Sequence, residues 1–292
     1  MGTLDDTIFL IRGQQMDVVA RHTAAALEAA GARRIVAVMD ERAGPADTAP
    51  YPKVSIGADT PAALGLPILP EHWGWFCGDI CYYAARQVYP DAAYYCLIES
   101  DVAMPGQSAS AFLKGLDGVD ADLLAVDLGP KDEPQRFSRQ LTRLHLDPTW
   151  GCILPVTRAS AAAVKVMHKL RRVSSRRGFQ RLNDEGVLCG AAQHPDLSFL
   201  SLDEIMPDVF GHEDFNTNPP HLAEAILPRV RTSQAIHPVV TLVNVLERIA
   251  KGNKNYFPYR LRKILEEASP DQQEAIASAL RDVDAKRESE TD

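Results

Sequence analysis

The chain predicts an α/β fold, a mostly parallel central sheet flanked by helices, in a single domain. Three observations carry that expectation. Apolar runs of strand length recur at 8–11, 34–40, 94–99 and 122–128. Helix-periodic segments separate them, and strand, helix, strand within about 40 residues is a βαβ unit, which requires a parallel sheet with a right-handed crossover. The runs end in or beside acids, Asp40, Glu99 and Asp127, and the carboxyl edge of an open α/β sheet is where ligands bind.

In chain order, 8–11 is a first strand that ends in the loop Arg12-Gly13. A helix follows over 16–30, with Val19, Ala20, Thr23, Ala26 and Leu27 recurring on one face and Gly31 as the C-terminal cap. The second strand, 34–40, closes on Asp40. Residues 43–70 are rich in Pro, Gly and Ala and read as a long irregular stretch, more often functional than idle. In Trp73-Gly74-Trp75-Phe76-Cys77-Gly78-Asp79 the last residue is placed as the N-cap of a helix that runs to Val88 and stops before Pro90. Then come a strand at 94–99, a short helix at 109–116, strands at 122–128 and 150–156, and a helix at 160–170. Asn183-Asp184-Glu185-Gly186 opens a helix through Cys189 and Ala192. A late strand spans 197–202, and 207–220 reads as a loop or lid. Residues 241–250 form a helix with Leu242, Val245, Leu246 and Ile249 on one face, and the charged tail from 282 to 292 is expected to be frayed.

With 292 residues, 46% hydrophobic and 24% charged, the chain can bury a sizeable core without disulfides or a structural metal. Its net charge of -8 argues against a nucleic-acid binder, which needs a basic face, yet a few local arginines suffice for a nucleotide. Cys77, Cys81, Cys96, Cys152 and Cys189 are scattered without a Cys-x-x-Cys pair, so free thiols in a reducing, cytoplasmic compartment are expected. Neither a signal peptide nor a membrane span is expected, since no basic-then-apolar leader and no run of about 18 apolar residues occurs.

The chemistry concentrates at Glu99-Ser100-Asp101. Side chains alternate along an extended strand, so both carboxylates point one way and repel each other unless a cation lies between them. A divalent hard metal that also bridges substrate phosphates resolves that repulsion. The other reading is a pair of solvated loop acids.

Trp73, Gly78-Asp79 and Tyr95-Cys96-Leu97-Ile98-Glu99-Ser100-Asp101-Val102 together resemble the core of a GT-A fold glycosyltransferase, in which a short acidic DxD-like motif follows a central strand. The resemblance is clearest over 73–105 and weaker, but in the right order, over 8–240. This chain has Glu where the motif has its first Asp. The resemblance implies a GT-A-like catalytic domain over 1–240, with a helical extension at 241–281 packed on it. It implies a manganese or magnesium cofactor held by Asp101 and by a C-terminal His, for which His237 and His212 compete. Arg12, Gly13, Asp40, Asp79 and Glu99 would surround the nucleotide-sugar donor. A carboxylate opening a late helix, Glu185 or Asp184, would act as general base toward a hydroxyl acceptor in an inverting transfer, although Asn-Asp-Glu is also an ordinary helix N-terminus.

Lys169, Arg171, Arg172, Arg176, Arg177 and Arg181 form a basic cluster fit for pyrophosphate or an anionic acceptor, or for a solvated face. Trp73, Trp75 and Trp150 offer stacking surface for a sugar ring or fill the core. Residues 251–263 mix basic side chains with Tyr256, Phe257 and Tyr259, which suits peripheral contact with the inner face of an anionic membrane or a helix pair packed on the domain. The expected activity is metal-dependent transfer of a sugar to a glycan or other hydroxyl acceptor in surface-glycan or polysaccharide synthesis. The alternatives are a nucleotidyltransferase that makes nucleotide sugars, against which the single glycine after the first strand counts, and a non-catalytic glycan-binding or scaffold protein.

Overall fold

The apolar runs assemble into the α/β arrangement expected of them, in a computed structural model that describes residues 4–178, 181–252 and 260–289. Strands β1 (Thr7–Gly13), β2 (Ile35–Asp40), β3 (Lys53–Ile56), β4 (Tyr94–Glu99), β5 (Leu123–Pro130), β6 (Trp150–Ser160) and β7 (Phe199–Ser201) form one sheet. Its order is β3-β2-β1-β4-β6-β5-β7. The pairs among β3, β2, β1 and β4 are parallel, as is β5 with β7, while β6 runs against both β4 and β5.

Helices cover both faces: α1 (Val18–Ala29), α2 (Thr60–Ala63), α3 (Trp73–Phe76), α4 (Ile80–Val88), α5 (Ser108–Leu116), α6 (Ala161–Arg176) and α7 (Asp184–Ala192). Strand alternation divides the core between the faces. Ile8, Leu10, Tyr95 and Leu97 pack with residues of α4, α6 and α7, and Phe9, Ile11, Cys96 and Ile98 pack with residues of α1 and α5. Being covered on both sides is why β1 and β4 read as unbroken apolar runs. Side-chain caps fix several helix starts: Asp17 accepts from the amides of Val19 and Ala20 at 3.0 Å each, and Asn183 accepts from that of Gly186 at 2.9 Å.

Past β7 come α8 (Leu202–Ile205), the two-residue parallel strands β8 (His221–Leu222) and β9 (Val239–Val240) with α9 (Ala223–Ile226) between them, and α10 (Leu242–Ala250), α11 (Leu261–Glu267) and α12 (Pro270–Ser289). Leu222, Val245, Ile249, Leu261, Ile264 and Ile276 form an apolar cluster of their own there.

Several expectations give way. The irregular stretch 43–70 contains β3 and α2. β3 is four residues alternating exposed and buried, too short a period-two signal to stand out among prolines and glycines. β6 extends four residues past Val156 to Ser160. Segment 207–220 is no free lid, because Val209, Phe210 and Phe215 are buried and the Phe210 and Phe215 rings meet edge-on at 5.0 Å. α12 reaches Ser289, so helix continues into the tail expected to be frayed. Tyr256, Phe257 and Tyr259 lie outside the described residues. Among the described residues no helix is long and apolar enough to cross a membrane. All five cysteines are free thiols.

Candidate functional site

The carboxyl ends of β1, β2 and β4 open into a cleft of about 500 Å³, walled by the loop after β1, by α3 and by the polar face of α10. Parallel register places Arg12 of β1 directly opposite Glu99 of β4, so their side chains share a face and pair. Gly13, the next residue, lines the cleft where the strand ends crowd: a Cβ there would come within 2.9 Å of the Ser100 side chain.

Glu99 and Asp101 do converge, by a different route from strand alternation. β4 ends at Glu99, a turn follows in which the Val102 amide donates to the Glu99 carbonyl, and the turn swings Asp101 back. His237 joins them: one ligand atom from each of Glu99, Asp101 and His237 lies within 4.8 Å of the others. The His237 ring is oriented by its surroundings. Its Nδ1 lies 2.5 Å from the Asn216 carbonyl, an acceptor only, so Nδ1 carries the proton. That leaves Nε2 as the nitrogen turned to Asp101 Oδ1, 3.6 Å away, and in the neutral ring Nε2 is the nitrogen that can ligate a metal. The backbone holds the histidine too, because its amide donates to the Asp214 carbonyl and its carbonyl accepts from the Asn216 amide. The Val239 amide donates to the Asp101 carbonyl at 2.8 Å, tying the two ligand segments together. His212, the competing candidate, is 70% exposed and stands 3.5 Å from Asp203.

Arg12 is the hub behind this group. Nη1 pairs with Glu99 and stands 3.6 Å from Asp184 Oδ2, and Nη2 donates to the carbonyls of Gly74 and Trp75 at 3.1 Å each. Burial opposes its charge, but the carboxylates of Glu99, Asp184 and Asp79 more than offset that and hold its pKa above the ordinary value. This guanidinium is only 11% exposed and ties the ends of β1 and β4 to α3. Burial pushes Glu99 up, Asp101 adds to that, and Arg12 opposes it.

Asp184 and Glu185 separate by environment. Asp184 is buried, accepting from the Gly78 amide at 2.8 Å and the Glu185 amide at 3.0 Å. Burial and neighbouring acids push it up to about 8 against the pull of Arg12. Glu185 is less buried and accepts from the Asn183 amide group at 3.1 Å. Burial and the charge of Glu99 raise it to about 7. Asp184 is locked into the scaffold, whereas Glu185, less buried, is held by the Asn183 side chain and the Leu154 backbone amide.

Asp40, at the end of β2, lines the cleft and is held by Arg42 at 2.6 and 2.8 Å, while the Arg42 guanidinium lies 4.2 Å from the Trp73 ring centre. Hydrogen bonds from Arg42 keep the Asp40 carboxyl below its usual range despite partial burial. Trp75 lines the cleft at 73% exposure. Trp150 packs edge-on against Phe199 at 4.9 Å, away from the cleft walls.

Asp79 departs most from its expected role. It neither caps α4 with its side chain nor lines the cleft. It is fully buried, bound by Arg171 at 2.7 and 2.9 Å and by the Tyr83 hydroxyl at 2.5 Å. That pair removes Arg171 from the basic cluster, and none of Lys169, Arg172, Arg176, Arg177 or Arg181 lines the cleft either. The sequence signal was present: Arg171 falls on the buried face of α6, four residues after Met167, where a cation needs an anion. Asn244, Glu247 and Arg248 of α10 and Lys251 just after it line the cleft and were missed, because the helix was legible and the direction of its polar face was not. Asn216 contributes a backbone carbonyl, which has no side-chain signature.

No family model and no curated protein matches the chain. Among solved structures it is similar to a glycosyltransferase involved in the glycosylation of the major capsid of PBCV-1, with 11% identity and a TM-score of 0.37, over 75% of this chain and 86% of that one.

Proposed function

We propose that this chain is a metal-dependent glycosyltransferase that moves a sugar from a nucleoside-diphosphate-sugar to a hydroxyl acceptor in glycan synthesis. The observation that carries the reading is the convergence of Glu99, Asp101 and the tautomer-fixed Nε2 of His237 on one point at the rim of a polar cleft. Two carboxylates and an imidazole suit manganese or magnesium. A divalent ion there supplies counter-charge to a diphosphate leaving group. Asp101 and His237 are its holders, and Glu99, drawn toward Arg12, orients the pair or acts through water.

Asp40 at the end of β2, with Arg42 and Trp73 beside it, borders the nucleoside. Glu185 takes the acceptor hydroxyl proton as the new glycosidic bond forms, and the electron pair of the broken bond leaves with the nucleoside diphosphate. A carboxylate whose pKa is raised to about 7 is a stronger base than an ordinary one and still has a substantial ionised fraction near neutrality. Asp184 holds the opening of α7 against Arg12 and the Gly78 amide.

Thermal unfolding against a panel of nucleoside diphosphates and nucleotide sugars, with and without manganese, tests the reading. Ligands that bind the folded state raise the melting temperature by mass action. The expected result is a shift for one nucleotide that requires the metal. No shift for any member of the panel would return Glu99 and Asp101 to being solvated acids.

A further inference from the structure

Trp75 exposes 73% of its surface although it lines a cleft beside a large apolar core. It begins a row of aromatic rings. Its centroid lies 6.1 Å from that of Phe76, which meets Phe137 edge-on at 6.0 Å. The Arg136 guanidinium covers the Phe137 ring at 5.2 Å.

Both ends of the row are fixed to the site. At the near end Arg12 donates to the carbonyls of Gly74 and Trp75 while its other terminal nitrogen holds Glu99. At the far end the Phe137 carbonyl presses against Gly186, where a Cβ would approach it to 2.6 Å. Gly186 immediately follows Glu185. The row therefore runs from the cleft wall held by Arg12 to the start of the helix that carries Glu185. An acceptor has to lie along that line, with its hydroxyl within reach of Glu185.

We infer that Trp75, Phe76 and Phe137 form the acceptor subsite and that the acceptor is a saccharide. This rests on the transferase reading above. The electron-rich faces of aromatic rings attract the weakly positive C–H groups of a pyranose face. The hydroxyls around such a ring need charged or polar partners at the edges of the platform, and Arg136 stands over Phe137 while Arg12 holds the Trp75 carbonyl. Half-buried Phe76 packs on the core and anchors the platform, leaving Trp75 as the ring that a ligand covers. A lipid chain needs a continuous dry groove, which a platform edged by Arg136 and backed by the buried charge of Arg12 does not provide.

Labelled full-length protein, with manganese and each common nucleoside diphosphate in turn, would be applied to a glycan array. The expected result is binding to one glycan class, weakened about tenfold or more by Trp75→Ala, retained within about threefold by Trp75→Phe, and weakened to an intermediate degree by Phe137→Leu. Melting temperatures of the variants confirm that they are folded. If Trp75→Ala melts early, Trp75→Gln is read in its place. Manganese-dependent stabilisation by a nucleotide together with no glycan bound, or with glycan binding indifferent to Trp75→Ala, overturns the acceptor subsite while the transferase reading stands. Binding to lipid vesicles in place of glycans overturns it equally. Glycan binding that depends on Trp75, without any nucleotide response, supports the saccharide site and removes the transferase reading.

Discussion

Two clusters of charge lie near one another in this protein and are built on opposite terms. Asp79 and Arg171 are at most 2% exposed and satisfy each other in bidentate fashion, with Tyr83 and the Leu182 carbonyl taking up further hydrogen-bonding capacity. Glu99, Asp101 and His237 face one another across an open cleft, and Asp101 and the Nε2 of His237 are turned toward a shared space. The first cluster is closed, so it joins α4 to α6 and does nothing else. The second is left incomplete on the side where a ligand can finish it. Burial alone does not mark function here; the difference lies in whether each polar atom already has its partner.

The comparison breaks most visibly at Asp101. Asp101→Ala is expected to abolish manganese-dependent nucleotide binding, a loss of at least about a hundredfold, with the melting temperature of the free protein unchanged. A variant that binds metal and nucleotide as the parent does would show that the convergence is incidental. Next in size, Glu185→Gln should lower the turnover number by about 10²–10⁴ while leaving metal and nucleotide affinity intact, as single-turnover kinetics beside calorimetric titration would show.

The closed cluster should respond in stability. Asp79→Ala leaves the Arg171 charge buried and unpaired and is expected to cost about 3–5 kcal/mol in urea denaturation. A loss under about 1 kcal/mol would mean that water reaches the pair. Smaller effects sharpen the contrast between the two histidines. His237→Ala should weaken manganese binding by about 10–100-fold, and His212→Ala should leave it within error.

The pH dependence has a defined sign. Glu185, raised to about 7, and Asp184, raised to about 8, hold protons in the folded protein that the unfolded chain has released. Stability contributed by these groups is present below the ordinary carboxylate range and is lost as pH rises through about 7 to 8. The melting temperature should fall across that rise, and less steeply in Glu185→Gln. The catalytic rate should move the other way, rising through about pH 7 as Glu185 ionises. A rate that is flat across that window would remove Glu185 as the base.

Much of the candidate site was legible in the sequence because its residues stand at strand ends and helix starts, which local pattern locates. Glu99 and Asp101 follow an apolar run, and Asn183-Asp184-Glu185 carries a capping signature that the structure reproduces, Asn183 accepting from the Gly186 amide. Asp79 stands at the N-cap position of α4 as expected, yet its side chain serves Arg171 and not the helix amides, because capping chemistry and burial chemistry ask for the same residue type. Only the approach of α6, ninety residues later in the chain, decides which of the two an aspartate serves. β3 was lost among prolines, since four residues give too short a period to rise above local composition.

By itself the sequence determined the layered α/β architecture, because hydrophobic period and strand–helix alternation are local properties that any tertiary solution must respect. It also determined that acids crowd the carboxyl edge of the sheet. Only the tertiary structure decided that the chain from Pro207 onward returns to clamp His237 against Asp101, that β6 runs antiparallel, and that Arg12 rather than solvent neutralises Glu99. Those outcomes depend on contacts between residues as many as 136 positions apart, as with Asp101 and His237, and no local pattern encodes a partner that is brought close by folding alone.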